Sequence, residues 1–307
     1  MNKIAIIGSG RVGEAAAWLI AQRGLCEELA LLEVVPGLAA GVVLDIQQAA
    51  PLQGFHTYVS GGQQPDILRD SEIVIITAGA SRRPGMTRLD LQAVNIRIME
   101  TVLPQIREHA PQAMLLVVTN PADVITYHVW RRSALPRQRV IGFSGVLDSS
   151  RMAHFLAQAA GFKDDAVTAM VIGGHGDSMV PLVSQARVNG VPVGELLDPA
   201  QLEEVIRRTR QAGTEILNLK KTSTACIAPA AGIARVVEAI VRDRKETLPV
   251  ISVLDGEYGL HGLAIGVPCI VGGRGIESVV QLGLAGDEQR QFLESAERVR
   301  EEIGKLA

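Results

Sequence analysis

Aromatic side chains are scarce in this chain, only 3% of 307 residues, while glycine is abundant at 31. That balance suits tightly packed strand–helix units better than an aromatic-rich binding surface. A formal net charge of −3 gives no electrostatic footprint for nucleic acid, so none is expected as a partner. Cysteine is sparse as well: Cys26, Cys226 and Cys269 are odd in number, far apart, and form no CxxC or metal-ligand spacing. A reduced compartment and no bound metal are the expectations. Long apolar runs are missing too; none approaches the ~18–20 residues of a membrane span, so no membrane partner is expected. Met1-Asn2-Lys3 leads straight into an apolar stretch with no small-residue cleavage site, so no signal peptide is expected and the expected location is the cytoplasm. With 47% hydrophobic and 21% charged residues the chain is not disordered. At roughly 100–200 residues per domain it should hold two domains or one large one.

Two patterns divide the sequence. Up to about residue 143, short apolar runs (Lys3–Ile7, Leu29–Leu32, Ile73–Thr77, Met114–Thr119) alternate with helical spacing, as in Val12–Arg23, stopped by Gly24, and Leu89–His109. Continuous rather than alternating apolarity predicts strands buried on both faces, hence a doubly wound parallel α/β sheet. The second half reads as α+β. Asn189-Gly190 between apolar residues predicts a hairpin, Pro199–Leu219 and Ala230–Asp243 predict helices, and Leu248–Leu254 and Leu263–Val271 predict meander strands. The tail Asp287–Leu306 carries Phe292, Leu293, Ala296, Val299 and Ile303 as the apolar face of a closing helix. The boundary is expected near Phe143–Ser144, giving domains 1–143 and 144–307.

The first strand runs into Gly8-Ser9-Gly10-Arg11-Val12-Gly13, a GxGxxG loop that opens a helix. Gly8 allows a tight turn, Gly10 lets backbone approach a pyrophosphate, and Gly13 permits close helix–strand packing. The helix N-terminus offers unpaired N–H groups to the phosphates. Glu33 follows 20 residues after Gly13, where a carboxylate can accept from both ribose hydroxyls and repel a 2′-phosphate; NAD is therefore favoured over NADP.

Four further segments carry polar groups. Arg82, Arg83 and Arg88 flank Pro84-Gly85 in a loop after the strand ending at Thr77, where open α/β sheets bind ligands; it reads equally as a solvated basic loop. Thr119-Asn120-Pro121 ends another strand with Asn120 held extended, or is an ordinary turn. Asp148 and Arg151 share a helical face, as a functional pair or a local ion pair. His175 stands among Gly173, Gly174 and Gly176, free to adopt an unusual angle and suited to proton exchange near neutral pH, or is a structural histidine.

Taken together, the loop at 8–13, Arg82–Arg88, Thr119–Pro121, Leu147–Arg151 and Gly173–Asp177 resemble the lactate/malate dehydrogenase family across essentially the full length, closest to the malate enzymes of the lactate-dehydrogenase-like type. The resemblance implies a Rossmann domain followed by a catalytic α+β domain, NAD as cofactor, a small dicarboxylate substrate and a homo-oligomer, tetramer or dimer. By the same resemblance, His175 would exchange a proton with the substrate oxygen and Asp148 would hold its imidazole. Arg151 would clamp the C1 carboxylate, Arg88 would polarise the carbonyl, and Asn120 would hydrogen-bond the substrate and abut the nicotinamide. Gly8, Ser9, Gly10, Arg11, Val12, Gly13, Glu33, Asn95 and Val118 would contact the cofactor.

Substrate choice turns on Arg82. The resemblance places it where malate enzymes carry Arg and lactate enzymes Gln, and its charge would balance the second carboxylate of oxaloacetate. Ala225, assigned to the later helix, supports the same choice, since lactate enzymes tend to carry Thr there. The family usually has Asp at the position of Glu33, Arg-Lys at Arg82-Arg83, and often an aromatic pair at Cys226-Ile227. A lactate or other 2-hydroxy-acid dehydrogenase is the alternative enzyme. NAD-dependent glycosidases need a Cys/His metal site that this chain lacks. Short-chain dehydrogenases need Tyr-x-x-x-Lys, and none of Tyr58, Tyr127 and Tyr258 has Lys four residues on. A non-catalytic NAD-binding protein would not need His175, Asp148 and the arginines together.

Overall fold

The computed structural model describes residues 1–80 and 87–305. The expectation for Arg82 therefore lies outside the described residues, and of Arg88 only the backbone is described. In chain order the elements are β1 (Lys3–Ile7), α1 (Arg11–Gln22), β2 (Glu28–Leu32), α2 (Leu38–Gln53), β3 (Tyr58–Gly62), β4 (Ile73–Ile76), α3 (Arg88–His109), β5 (Met114–Val117), α4 (Ala122–Ser133) and β6 (Val140–Gly142). There follow α5 (Gly145–Ala160), β7 (Val167–Thr168), β8 (Val171–Gly173), β9 (Met179–Pro181), β10 (Arg187–Val188), β11 (Val191–Pro192) and α6 (Pro199–Lys220). The chain ends with α7 (Ile227–Val241), β12 (Glu246–Asp255), β13 (His261–Gly272), β14 (Gly275–Val279) and α8 (Gly286–Gly304).

Two compact units emerge. The first comprises Met1–Gly142 with Cys226–Glu246 and Ile270–Ser278; the second comprises Phe143–Ala225, Thr247–Cys269 and the residues from Val279 on. The second half of the sequence thus contributes to both units.

In the first unit, parallel strands run in the order β3-β2-β1-β4-β5-β6. This is the doubly wound dinucleotide-binding order, and it reverses between β1 and β4, the point at which such sheets bind ligands. β4 and β5 are buried along their whole length, as their unbroken apolar runs require. The edge strand β3 has no such run, but its Gly61 is needed: a Cβ there would come within 2.8 Å of Val43 on α2. α1 stops at Gly24, which takes a left-handed φ of 58°. It packs against α7, and both helices bury small residues: Ala16, Ala17 and Ala21 on α1, and Ala230, Gly232 and Ala234 on α7. Ala225 precedes α7 rather than lying within it, because the helix starts at Ile227 with Cys226 as its N-cap.

In the second unit, α5 packs Met152 and Leu156 against Val171, Met179, Ala186, Val188 and Val205. β8 and β9 pair antiparallel, and the β10–β11 hairpin turns at Asn189 (φ 48°) and Gly190 (φ 82°), both in the left-handed region that a tight type I′ turn demands. On α8, Phe292, Ala296 and Val299 are buried, but Leu293 is 45% exposed. One residue beyond Phe292 the helix has rotated about 100°, which carries Leu293 off the apolar face.

Candidate functional site

The glycine loop of the first unit is fixed from both sides. Gly8 N–H donates to the Leu32 carbonyl at 2.8 Å, and the Thr77 hydroxyl donates to the carbonyls of Ile7 (3.1 Å) and Gly8 (2.8 Å). Gly8 has φ 102°, and a Cβ there would lie 2.7 Å from the Ala78 nitrogen at the exit of β4. A Cβ on Gly13 would collide with the Gly8 carbonyl. Gly10 differs: a Cβ would meet nothing within 4 Å, so its missing side chain leaves open space just before the first turn of α1. Arg11 is exposed and Val12 half-buried at that N-terminus.

Glu33 is 8% exposed, and both of its oxygens are engaged. One accepts from Ser9 N–H at 2.7 Å and the other from Val35 N–H at 3.0 Å. The extra methylene relative to Asp lets this carboxylate reach back to the glycine loop, a contact the sequence analysis did not anticipate. A carboxylate oxygen has room for more than one donor, so these bonds leave acceptor capacity.

Asn95 of α3 is fully buried. Its Oδ1 accepts from Ala80 N–H (2.7 Å), and its Nδ2 donates to the carbonyl of Asn120 (2.6 Å). It therefore braces the backbones that leave β4 and β5, the same loops that carry Ala80 and Asn120. Thr119 adds a second brace by donating to the Ala78 carbonyl at 2.7 Å. Val118, half-buried, extends the sheet by donating to the Ile76 carbonyl at 2.9 Å, and Asn120 is exposed beyond it. α3 begins with a capping box, in which Asp90 N–H donates to the Thr87 hydroxyl and Thr87 donates to the Asp90 carboxylate. These bonds to Thr87 hold the Asp90 carboxyl below its ordinary value, and they place Arg88 at the first helical position.

In the second unit, Asp148 sits in the first turn of α5 with its side chain 2% exposed. Its Oδ2 lies 2.8 Å from Nδ1 of His175 and its Oδ1 lies 3.2 Å from Nη1 of Arg151. The buried acid thus ties a histidine to an arginine three residues along its own helix. Arg151 has a side chain 13% exposed, and its Nε is buried with no hydrogen-bond partner among the described residues. Gly213 on α6 faces this guanidinium; a Cβ there would come 3.7 Å from Nη2.

The histidine loop is held by its glycines and by α8. Gly173 (φ 85°) and Gly176 (φ 104°) take left-handed backbone on either side of His175. Gly174 N–H donates to the Ser295 hydroxyl of α8 at 2.8 Å, a buried bond spanning 121 residues of sequence. No local signal could have revealed Ser295, since its partner is a backbone amide far away in the chain. Among the described residues, no group of His, Cys, Asp and Glu is placed to hold a metal ion, and no helix is long and apolar enough to cross a membrane.

Comparison with known proteins follows these two halves. The family model described as lactate/malate dehydrogenase, NAD binding domain, matches residues 2–142, and that described as lactate/malate dehydrogenase, alpha/beta C-terminal domain, matches residues 145–307. The chain is 50% identical over 306 residues to a malate dehydrogenase of Thioalkalivibrio sulfidiphilus, covering 100% of both chains. It is 45% identical to a malate dehydrogenase of Pseudomonas putida, covering 100% of this chain and 99% of that one. Among solved structures, the malate dehydrogenase of Cryptosporidium parvum matches with a TM-score of 0.96 at 36% identity, over 99% of this chain and 98% of that one. The lactate dehydrogenase of the same organism, complexed with lactic acid and nicotinamide adenine dinucleotide, matches with the same TM-score, identity and coverage. The fold alone therefore does not separate the two activities, but the glycine loop, the His–Asp–Arg cluster and the full-length matches agree on one conclusion: the chain belongs to the lactate/malate dehydrogenase family.

Proposed function

We propose that this chain is an NAD-dependent malate dehydrogenase, which interconverts (S)-malate and oxaloacetate. The observation that carries the chemistry is the buried Asp148 joined to His175 at 2.8 Å and to Arg151 at 3.2 Å. The substrate assignment is supported by relatives named malate dehydrogenase at 40–50% identity and by Arg82.

The first unit fits the cofactor. The open space at Gly10 suits a pyrophosphate, the first-turn N–H groups of Arg11, Val12 and Gly13 suit its charge, and Glu33 retains acceptor capacity for ribose hydroxyls. The Glu33 carboxylate would also repel a 2′-phosphate. NAD, when bound, supplies the hydride acceptor for malate oxidation. Asn95 then acts through the loops it braces, by fixing Ala80 and Asn120.

With Nδ1 committed to Asp148, Nε2 of His175 is the nitrogen that exchanges a proton. It takes the proton from the C2 hydroxyl during oxidation and returns it to the carbonyl oxygen during reduction. Asp148 fixes the tautomer and stabilises the imidazolium, as in other His–Asp pairs. Arg151, with a buried Nε–H that has no partner among the described residues, clamps the C1 carboxylate through parallel N–H···O bonds. Arg88 polarises the substrate carbonyl, Arg82 takes the distal carboxylate, and Asn120 hydrogen-bonds the substrate. This reading includes a homo-oligomer in the cytoplasm, serving the tricarboxylic acid cycle. The exposed Leu44 and Leu52 on α2 and Ile227 on α7 support an assembly of copies, as they leave apolar surface uncovered on one chain.

NADH oxidation with a panel of 2-oxo acids tests the assignment. We expect kcat/KM for oxaloacetate to exceed that for pyruvate by at least about 10²-fold; a pyruvate preference would return the lactate reading. Ser295 enters the same assay as a positioning residue. Ser295→Ala strands the buried Gly174 N–H, at a cost of about 1–3 kcal/mol. We expect kcat to fall about tenfold with KM nearly unchanged and with an altered pH profile, and Ser295→Thr to restore part of the loss. A uniform drop in active enzyme, with kcat per folded molecule unchanged, would reduce Ser295 to a stability role.

A further inference from the structure

The second unit has another cleft, behind the histidine loop. It measures about 240 Å³ and lies among residues 177–180, Arg210 of α6, and Gln291, Ser295 and Arg298 of α8. Arg210 is half-buried there. Its Nε donates to the Met179 carbonyl (3.3 Å) and its Nη2 to Oε1 of Gln291 (3.0 Å). Both acceptors are neutral, and among the described residues no carboxylate is paired with this guanidinium.

A second cation, Arg298, lines the same cleft. Burial and then the charge of Arg298 push the Arg210 pKa down. Arg298 is exposed and makes no ion pair among the described residues. Two guanidinium groups on different helices, one partly desolvated and neither ion-paired among the described residues, repel each other, and an anion held by both relieves that repulsion. Two carboxylates, Asp177 and Glu294, also line the cleft, and both are exposed.

We propose that this cleft binds a small oxyanion of the phosphate class, bridging Arg210 and Arg298. A carboxylate is satisfied by one guanidinium in a two-bond fork, whereas a tetrahedral phosphate has enough oxygens for two arginines and a further donor. The Gln291 amide, whose oxygen is already held by Arg210, supplies that donor through Nε2. The site bears on the histidine loop from both ends. Arg210 grips Met179 after it, and Ser295, one turn before Arg298 on α8, grips Gly174 within it. An anion tying Arg210 to Arg298 therefore ties α6 to α8 around His175.

Thermal unfolding of the full-length protein in inorganic phosphate, at constant ionic strength set by sodium chloride, tests this. At about 50 mM phosphate the Tm should rise by about 2 °C or more in the wild type and in Arg151→Gln. The shift should vanish in Arg298→Glu, whose exposed position leaves turnover intact, and in Arg210→Gln as an independent check. Glycerol 3-phosphate in place of phosphate distinguishes an ester-binding site from one for the free ion. No shift in the wild type, a shift that persists in Arg298→Glu, or a shift lost only in Arg151→Gln would each overturn the proposal; the last would place the anion in the substrate's carboxylate site.

Discussion

His175→Asn should lower kcat/KM for oxaloacetate by about 10²–10⁴-fold, the usual contribution of a positioned acid–base group. NADH affinity should stay within about twofold, because the glycine loop and Glu33 belong to the other unit and make no use of the imidazole. Asp148→Asn should cost a similar factor, since an amide at Oδ2 no longer enforces the proton on Nδ1 and no longer offsets an imidazolium. The double variant should be little worse than either single one. Groups that act as one unit lose their function once, so their effects do not multiply. Steady-state kinetics on the three variants, with NADH binding followed by fluorescence, measures this; multiplicative losses would mean that Asp148 acts independently of His175. Asp148→Asn should in addition raise KM, because the Arg151 guanidinium loses its charged partner at 3.2 Å.

The parts of this site legible in the sequence are those whose chemistry is local. Gly8, Gly10 and Gly13 are spaced by the geometry of one turn entering one helix, and each has the environment its spacing requires. The Asn189-Gly190 turn is legible for the same reason, as two successive left-handed residues leave few alternatives. Asp148 and Arg151 are three apart on one helix and meet accordingly. Contacts between distant segments are not legible in this way. The Ser295–Gly174 bond, the Glu33–Ser9 bond and the Asn95 bridge to Ala80 and Asn120 each join a side chain to a backbone group, and a backbone group leaves no mark on residue identity. The pairing of α7 with α1 is equally illegible. Its packing against α1 depends on small residues that resemble those of any buried helix.

Arg82→Gln should exchange one substrate preference for another. In the proposed role of Arg82, pyruvate would leave its guanidinium without a negative partner in the closed site, and an unpaired buried charge costs about 3–5 kcal/mol. That corresponds to a discrimination of about 10²–10³ or more in kcat/KM. Gln removes the charge and the penalty together. Oxaloacetate turnover should therefore fall by about that factor while pyruvate turnover is unchanged or rises. The His175–Asp148 pair needs no change for this, since in the proposed mechanism it acts on the C2 oxygen that both substrates share. Kinetics with both 2-oxo acids measures the exchange; unchanged selectivity would move the specificity role to another residue.

The pH dependence of kcat/KM in the two directions tests the His175–Asp148 pair most directly. In the proposed mechanism reduction of oxaloacetate uses the imidazolium as acid, so its kcat/KM should fall as pH rises. Oxidation of malate would use the neutral imidazole as base, so its kcat/KM should fall as pH drops. The two limbs should run in opposite directions, and both should be absent in His175→Asn. Limbs that fall on the same side, or a titration that survives in the variant, would contradict the assignment.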